Sequence, residues 1–358
     1  MKFAENIKEF LHDNFDYSAG IYQILVFFLI GFVALGILIV PGQGAAEAEE
    51  IIVYSSRREQ FVSPIMDKFE KETGIEVNML TGEEAQFNMR IKEEAANPQA
   101  DIFLANDAGV MEDLRRADVL TAAPEEVLEK IPADKRAEDG SWFGLSARSR
   151  ILMYNEEFID EEELPDSLED LTDPEYAGDF ALTRPGNGSM ISHMAGLRTY
   201  QGDEWTENFV QDLMDNDPTI VDGHTDIRRA VGRGEVSLGL VNNYYYRLQL
   251  EEDNHDNMGA IYPDQGEDEM GIFVNVAGAA LIEGGPNPEA RDELINFLLE
   301  EETMIEYAGL SNETPLVAEH DIYEVSIDDF EHMDIDLSEI GDNWQGTLDL
   351  MERAGYYF

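Results

Sequence analysis

The sequence predicts an α/β chain of two lobes on mostly parallel sheets, with one apolar helix ahead of them. Three observations carry that reading. From Ile51 onward, short apolar runs alternate with amphipathic ones of helical period, the pattern of a largely parallel sheet covered on both faces. The length of 358 residues exceeds one average domain and leaves room for two cores. Residues 24–40 carry no charged side chain.

That charge-free run, with Ile21, Tyr22 and Gln23 before it, is long enough to cross about 30 Å of hydrocarbon as a helix. Lys2 and Lys8 precede it and the next basic residue is Arg57, so residues 1–20 are expected in the cytoplasm and everything after Pro41 outside. Ala46-Glu47-Ala48 offers a small-residue cleavage site, but the acidic leader suits an uncleaved anchor better. Residues 41–50, rich in Gly, Ala and Glu, read as a flexible tether.

After the tether, Ile51-Ile52-Val53 predicts a buried strand, and Phe61, Ile65 and Phe69 predict a helix stopped at Gly74. A second strand over residues 75–80, a helix over 83–96, a third strand over 101–104 and a helix through Val110 and Leu114 continue the rhythm. Strands at 142–145 and 151–154 lead out of a first lobe. The second lobe takes Phe180-Ala181-Leu182, the turn Arg184 to Ser189, helices from Met190 and from Thr225 to Val231, and a strand ending near Asn242. Residues 271–282 return as a long strand, a helix through Ala290 and Leu294 follows, and one last helix runs from Ser338 with Gly355 past its end. The lobes are thus expected as 51–148 with 276–325, and 149–275 with 326–358.

Composition narrows the class. There are 77 Asp plus Glu against 23 Lys plus Arg, a formal charge of -54, which repels phosphate backbones and argues against a nucleic-acid partner. Such a coat of solvated carboxylates suits a cation-rich, halophilic medium. With no cysteine, disulfides, thiolate zinc and iron–sulfur clusters are excluded. No Ser-His-Asp set, phosphate-binding loop or dinucleotide fingerprint is evident, so the expectation is a binding protein and not an enzyme.

The stretch most suggestive of chemistry is Leu238 to Arg247, where an apolar strand ends in Asn242-Asn243 and is followed by Tyr244, Tyr245 and Tyr246. Ligands of open α/β sheets bind at the carboxyl ends of strands. A phenol has a pKa near ~10, but a highly charged cation can displace its proton and keep the phenolate as a hard oxygen ligand. The plainer reading of the same residues is a half-buried aromatic cluster or a stacking platform for a sugar.

The segments VYSSR at 53–57, ADIFLANDAG at 100–109, WFGLSARSRILMYN at 142–155, GEVSLGLVNNYYYRL at 234–248 and NVAGAALIEGGPNPEARDELINFLLEEE at 275–302 together resemble the periplasmic ferric-iron-binding proteins of ABC importers. The resemblance implies a type II periplasmic-binding-protein fold with a cleft at its hinge, capture of Fe(3+) as transported ligand, and delivery to an ABC permease in the membrane. It also implies a location at the extracellular face of the membrane or in the periplasm, anchored or released by cleavage, and a monomer. Tyr244 and Tyr245 fall on the paired tyrosinate ligands, Asn242 on an anion contact, and Asp107 on a carboxylate that some members use as ligand.

The chain departs from the family where Arg58 and Glu59 replace a common His and Tyr, and where no tyrosine lies between Tyr176 and Tyr200. An exogenous anion such as carbonate or phosphate is then expected to complete the shell. Arg57, Arg58, Ser146, Arg148, Asn187 and Ser189 are the candidates to hold it. Each arginine could instead pair with a carboxylate, Arg150 most of all; Asp107 could be a helix cap; His193 and His224 could be caps or buried polar groups. A small organic anion such as a phosphorylated sugar is the alternative ligand. Closure is expected about residues 148–154 and 271–280.

Overall fold

The computed structural model describes residues 49–252, 257–316, 327–344 and 346–357. The expected membrane segment at 21–40 lies outside them; among the described residues no helix is long and apolar enough to cross a membrane.

In chain order the strands are β1 (Glu50–Ser55), β2 (Glu76–Thr81), β3 (Ile102–Ala105), β4 (Trp142–Asn155), β5 (Phe180–Thr183), β6 (Thr219–Val221), β7 (Leu238–Asn242), β8 (Met258–Ile261), β9 (Val274–Leu281) and β10 (Thr314–Pro315). The helices that position the site are α1 (Glu59–Thr73), α2 (Glu84–Glu93), α3 (Ala108–Arg116), α4 (Glu125–Leu128), α5 (Gly188–Gln201), α6 (Asp203–Asp215), α7 (His224–Gly232), α8 (Asn243–Leu250), α9 (Pro288–Leu298), α10 (Glu301–Leu310), α11 (Leu337–Trp344) and α12 (Thr347–Arg353). Strand order is β2-β1-β3-β9-β4-β7-β5-β6, with β8 and β10 also on β4.

The sheet is mixed, not mostly parallel. Each outer wing is parallel: β1 pairs with β2 and β3, and β5 with β6 and β7. The centre is antiparallel, because β4 carries the chain from one wing to the other and β9 brings it back alongside, Arg148 opposite Asn275. The two strands expected at 142–145 and 151–154 are one 14-residue strand. Its middle, Ser146 to Arg150, is polar in sequence and buried in fact, which hid the continuity from a hydrophobicity argument. Gly278 lies where β9 runs against β4 with no room for a side chain: a Cβ there would lie 2.1 Å from the Phe143 carbonyl oxygen.

Local sequence accounts for the rest. Val62, Ile65, Met66 and Phe69 form the buried stripe of α1, each fully buried side chain contributing about 1.5–3 kcal/mol. Gly74, at φ 80°, ends that helix and its N–H bonds back to the Glu70 carbonyl. One core lies under α1, α9 and α10 on the β1–β3 wing. A smaller one joins Ile227 and Val231 of α7 to Ile151, Met153 and Val241, with Tyr245 at its edge. The single C-terminal helix expected from Ser338 is two, α11 and α12, parted at Gly346 with φ 80°. Trp344 at the end of α11 packs so closely on Gly109 of α3 that a Cβ there would lie 2.6 Å from the indole. The unforeseen α6 has its own amphipathic signal in Phe209, Val210 and Leu213, all buried.

Candidate functional site

The carboxyl ends of β1, β2, β3, β5 and β7 open into a common cavity of about 600 Å³, the place where such sheets bind ligands. One wall comes from the loops after β1, β2 and β3, which supply Arg57, Arg58, Glu84 and Asp107; the facing wall holds Asn187, Ser189, His224, Asn242, Tyr244 and Tyr245. The two tyrosines begin α8, their ring centroids 4.5 Å apart. Tyr245 is 8% exposed and its ring lies 5.0 Å from that of His224. Burial, and next the neighbouring Tyr244, push the Tyr245 phenol well above its ordinary range. Tyr244 is half-buried, and the Asn242 side-chain amide donates to its hydroxyl at 3.5 Å. A phenolate at Tyr244 would favour the charged forms of Arg57, Arg148 and Arg150.

The structure uses most of the expected anion-holding residues otherwise. Arg57 and Arg148 both pair with Glu313, at 3.0 and 3.1 Å, and all three are buried. Burial opposes the charge on Glu313, yet the two guanidiniums hold its carboxyl down to about 2. Ser146 does not line the cavity; its hydroxyl donates to Glu313. Asn187 caps α5, its side-chain oxygen accepting from the Ser189 amide and hydroxyl. Asn242 accepts from Arg150 at 2.9 Å, so both ends of its amide are engaged inside the wall. Arg58 alone of the set stands exposed at the cavity wall.

Arg150 reverses the sequence expectation. It is 1% exposed and contacts no carboxylate among the described residues; instead it donates to Asn242 and to the Ser189 carbonyl and meets His224 Nε2 at 3.0 Å. Burial pushes it down to about 10. His224, buried beside that guanidinium, is held well below its ordinary range and is therefore neutral. Arg150 thus ties the starts of α5, α7 and α8 to β4. His193 is buried against Phe273 and does not line the cavity.

Asp107 is the N-cap of α3, its carboxylate accepting from the Gly109 amide at 2.8 Å, from Ser192 and from Asn275. The expected metal role is met by a carboxylate already committed to three donors. Burial pushes it upward, against the pull of Arg148. Two residues escaped the sequence reading. Glu313 has no local signal, since the two arginines that hold its charge are more than 160 positions away. Glu84 had one: it follows β2 at the same carboxyl rim that drew attention to the tyrosines. Its Oε1 accepts from the Asn106 amide at 2.8 Å and from Ser56, and burial, then the Asp107 carboxylate, push it up to about 7. Among the described residues, no three His, Asp or Glu side chains gather as a metal site.

Comparison with known proteins places this geometry. The model of the family described as bacterial extracellular solute-binding protein matches residues 97–328. Iron uptake protein A1 of Synechocystis is 30% identical over 327 residues, 87% of this chain and 88% of that protein. Iron-bound HitA from Pseudomonas aeruginosa superposes with a TM-score of 0.79 at 27% identity, covering 86% of this chain and 99% of that one. FutA of Trichodesmium in complex with iron and citrate superposes at 0.76 with 28% identity over the same shares. The fold is that of type II periplasmic binding proteins. The match over most of the chain and the rim cavity agree, and the chain belongs to the bacterial extracellular solute-binding protein family.

Proposed function

We propose that the chain is the extracytoplasmic binding component of an ABC importer and captures ferric iron through Tyr244 and Tyr245. The observation that carries this reading is the tyrosine pair itself, adjacent rings at a strand's carboxyl end, opening on a cavity edged by buried guanidiniums. Phenolates are hard donors suited to a trivalent cation, which can displace the phenol protons and hold both oxygens as anionic ligands. Relatives named for iron uptake and neighbours solved with iron support the same ligand.

A small exogenous anion, carbonate or phosphate, completes the shell beside Arg58 and the α5 N-terminus; the Trichodesmium neighbour carries citrate with its iron. Residues 51–148 with 276–325 act as one lobe and 149–275 with 326–358 as the other. They close over the ion about the paired strands β4 and β9 and present it, as a monomer, to the permease. The phosphorylated-sugar alternative is disfavoured because Arg57 and Arg148, its natural partners, are already neutralised by Glu313. Metal-free protein mixed with ferric citrate and desalted should retain an equimolar amount of iron. Iron-free protein after that treatment contradicts the reading.

A further inference from the structure

Among the described residues, five carboxylates border the cavity: Glu83, Glu84, Asp107, Asp113 and Glu313. Four of them are poorly placed to meet a cation. Glu313 is held by Arg57, Arg148, Ser146 and Ser311; Asp107 caps α3 and binds Ser192 and Asn275. Asp113 accepts from Asn88 and pairs with Lys92, and Glu83 is exposed.

Glu84 differs from all of these. Its Oε1 is fixed by the Asn106 amide and the Ser56 hydroxyl, both from its own wing. Its Oε2 has no hydrogen-bond partner among the described residues and reaches the opposite wing, 3.4 Å from where a Cβ on Gly188 would stand. Gly188 opens α5, and the next residue, Ser189, is bound through Arg150 to Asn242 and so to the Tyr244 hydroxyl. The Ser189 hydroxyl also lies 2.7 Å from His224, whose ring packs on Tyr245. The free oxygen of Glu84 therefore faces the polar frame that holds both tyrosines.

We propose that Glu84, in place of Asp107, is the carboxylate with which the β1–β3 wing meets a ferric ion held by Tyr244 and Tyr245. This rests on the ferric reading of the tyrosine pair. A carboxylate with one oxygen anchored by hydrogen bonds and the other unengaged is preorganised as a single-oxygen donor, since ligating carboxylates are characteristically hydrogen-bonded on the side away from the metal. Because Glu84 starts α2 on one side of the cavity and the tyrosines start α8 on the other, its bond to the ion would couple binding to closure. The residue would also reduce the dependence on an added anion by filling a position that an anion otherwise takes.

The test uses the full chain titrated with ferric citrate in buffer free of carbonate and phosphate, read both as affinity against citrate and as the wavelength of the tyrosinate-to-iron band. Glu84→Gln retains the acceptor for Asn106 and Ser56 but removes the charge. It should weaken iron binding by roughly 10-fold or more and move the band. Glu84→Asp, which keeps the charge on a shorter arm, should fall between wild type and Glu84→Gln. Asp107→Asn should leave the band where it is. A Glu84→Gln protein with wild-type affinity and an unmoved band overturns the proposal while leaving the ferric reading intact; a colourless wild type overturns the ferric reading itself.

Discussion

Glutamine in place of Glu313 is expected to lower the unfolding free energy by about 3–5 kcal/mol, because it removes the counter-charge from two buried guanidiniums. Arg57, just past the end of β1, and Arg148 of β4 both reach Glu313, and Glu313 itself leads into β10 on β4. The loss is therefore at the junction where the crossing strand meets its neighbours. The pH dependence follows in sign. Glu313 titrates near its ordinary 4.5 when unfolded and at about 2 when folded. Its contribution is fully present above the unfolded value and is lost as pH falls through the folded one. Urea midpoints of wild type and Glu313→Gln should differ widely at neutral pH and converge toward the acid end of that window. Equal midpoints at neutral pH would show that the pair contributes nothing.

Phenylalanine at Tyr244 is expected to reduce ferric affinity by about 100-fold or more, beyond what loss of an outer-shell partner causes. The substitution removes one oxygen and leaves the ring tilted against that of Tyr245, so stability should change little. Competition against citrate measures the affinity, and thermal unfolding checks the fold. Wild-type affinity in Tyr244→Phe would remove the tyrosine from the site.

How much of this was legible in the sequence depends on the range of the interaction. The alternation of strands and helices was visible because it is local: Phe61, Ile65 and Phe69 share a face whatever the rest of the chain does, and Gly74 stops the helix by its own backbone freedom. The position of the tyrosine pair at the cavity rim was legible for the same reason, because the pair follows directly on an apolar strand.

What failed was non-local. Ser146 to Arg150 looked like a break in a strand because the charges that bury it, Glu313 above all, come from far along the chain. For the same reason Arg57 and Arg148 looked free, and Arg150, in a chain full of carboxylates, looked paired when its partners are an amide, an imidazole and a carbonyl. The mixed sheet was missed because strand direction is set by which wing the chain is leaving, which hydrophobic pattern does not record. Asp107 shows both sides. Its position before α3 predicts a cap from local sequence alone, and the cap is what the structure contains.

If the neighbouring phenol oxygens just past β7 grip a ferric ion, visible absorbance during a titration of metal-free protein with ferric citrate will report it. The expected result is a tyrosinate-to-iron charge-transfer band that grows until iron equals protein and is lost or strongly reduced when both Tyr244 and Tyr245 are phenylalanine. A protein that stays colourless, or a band that survives the double substitution, would contradict it.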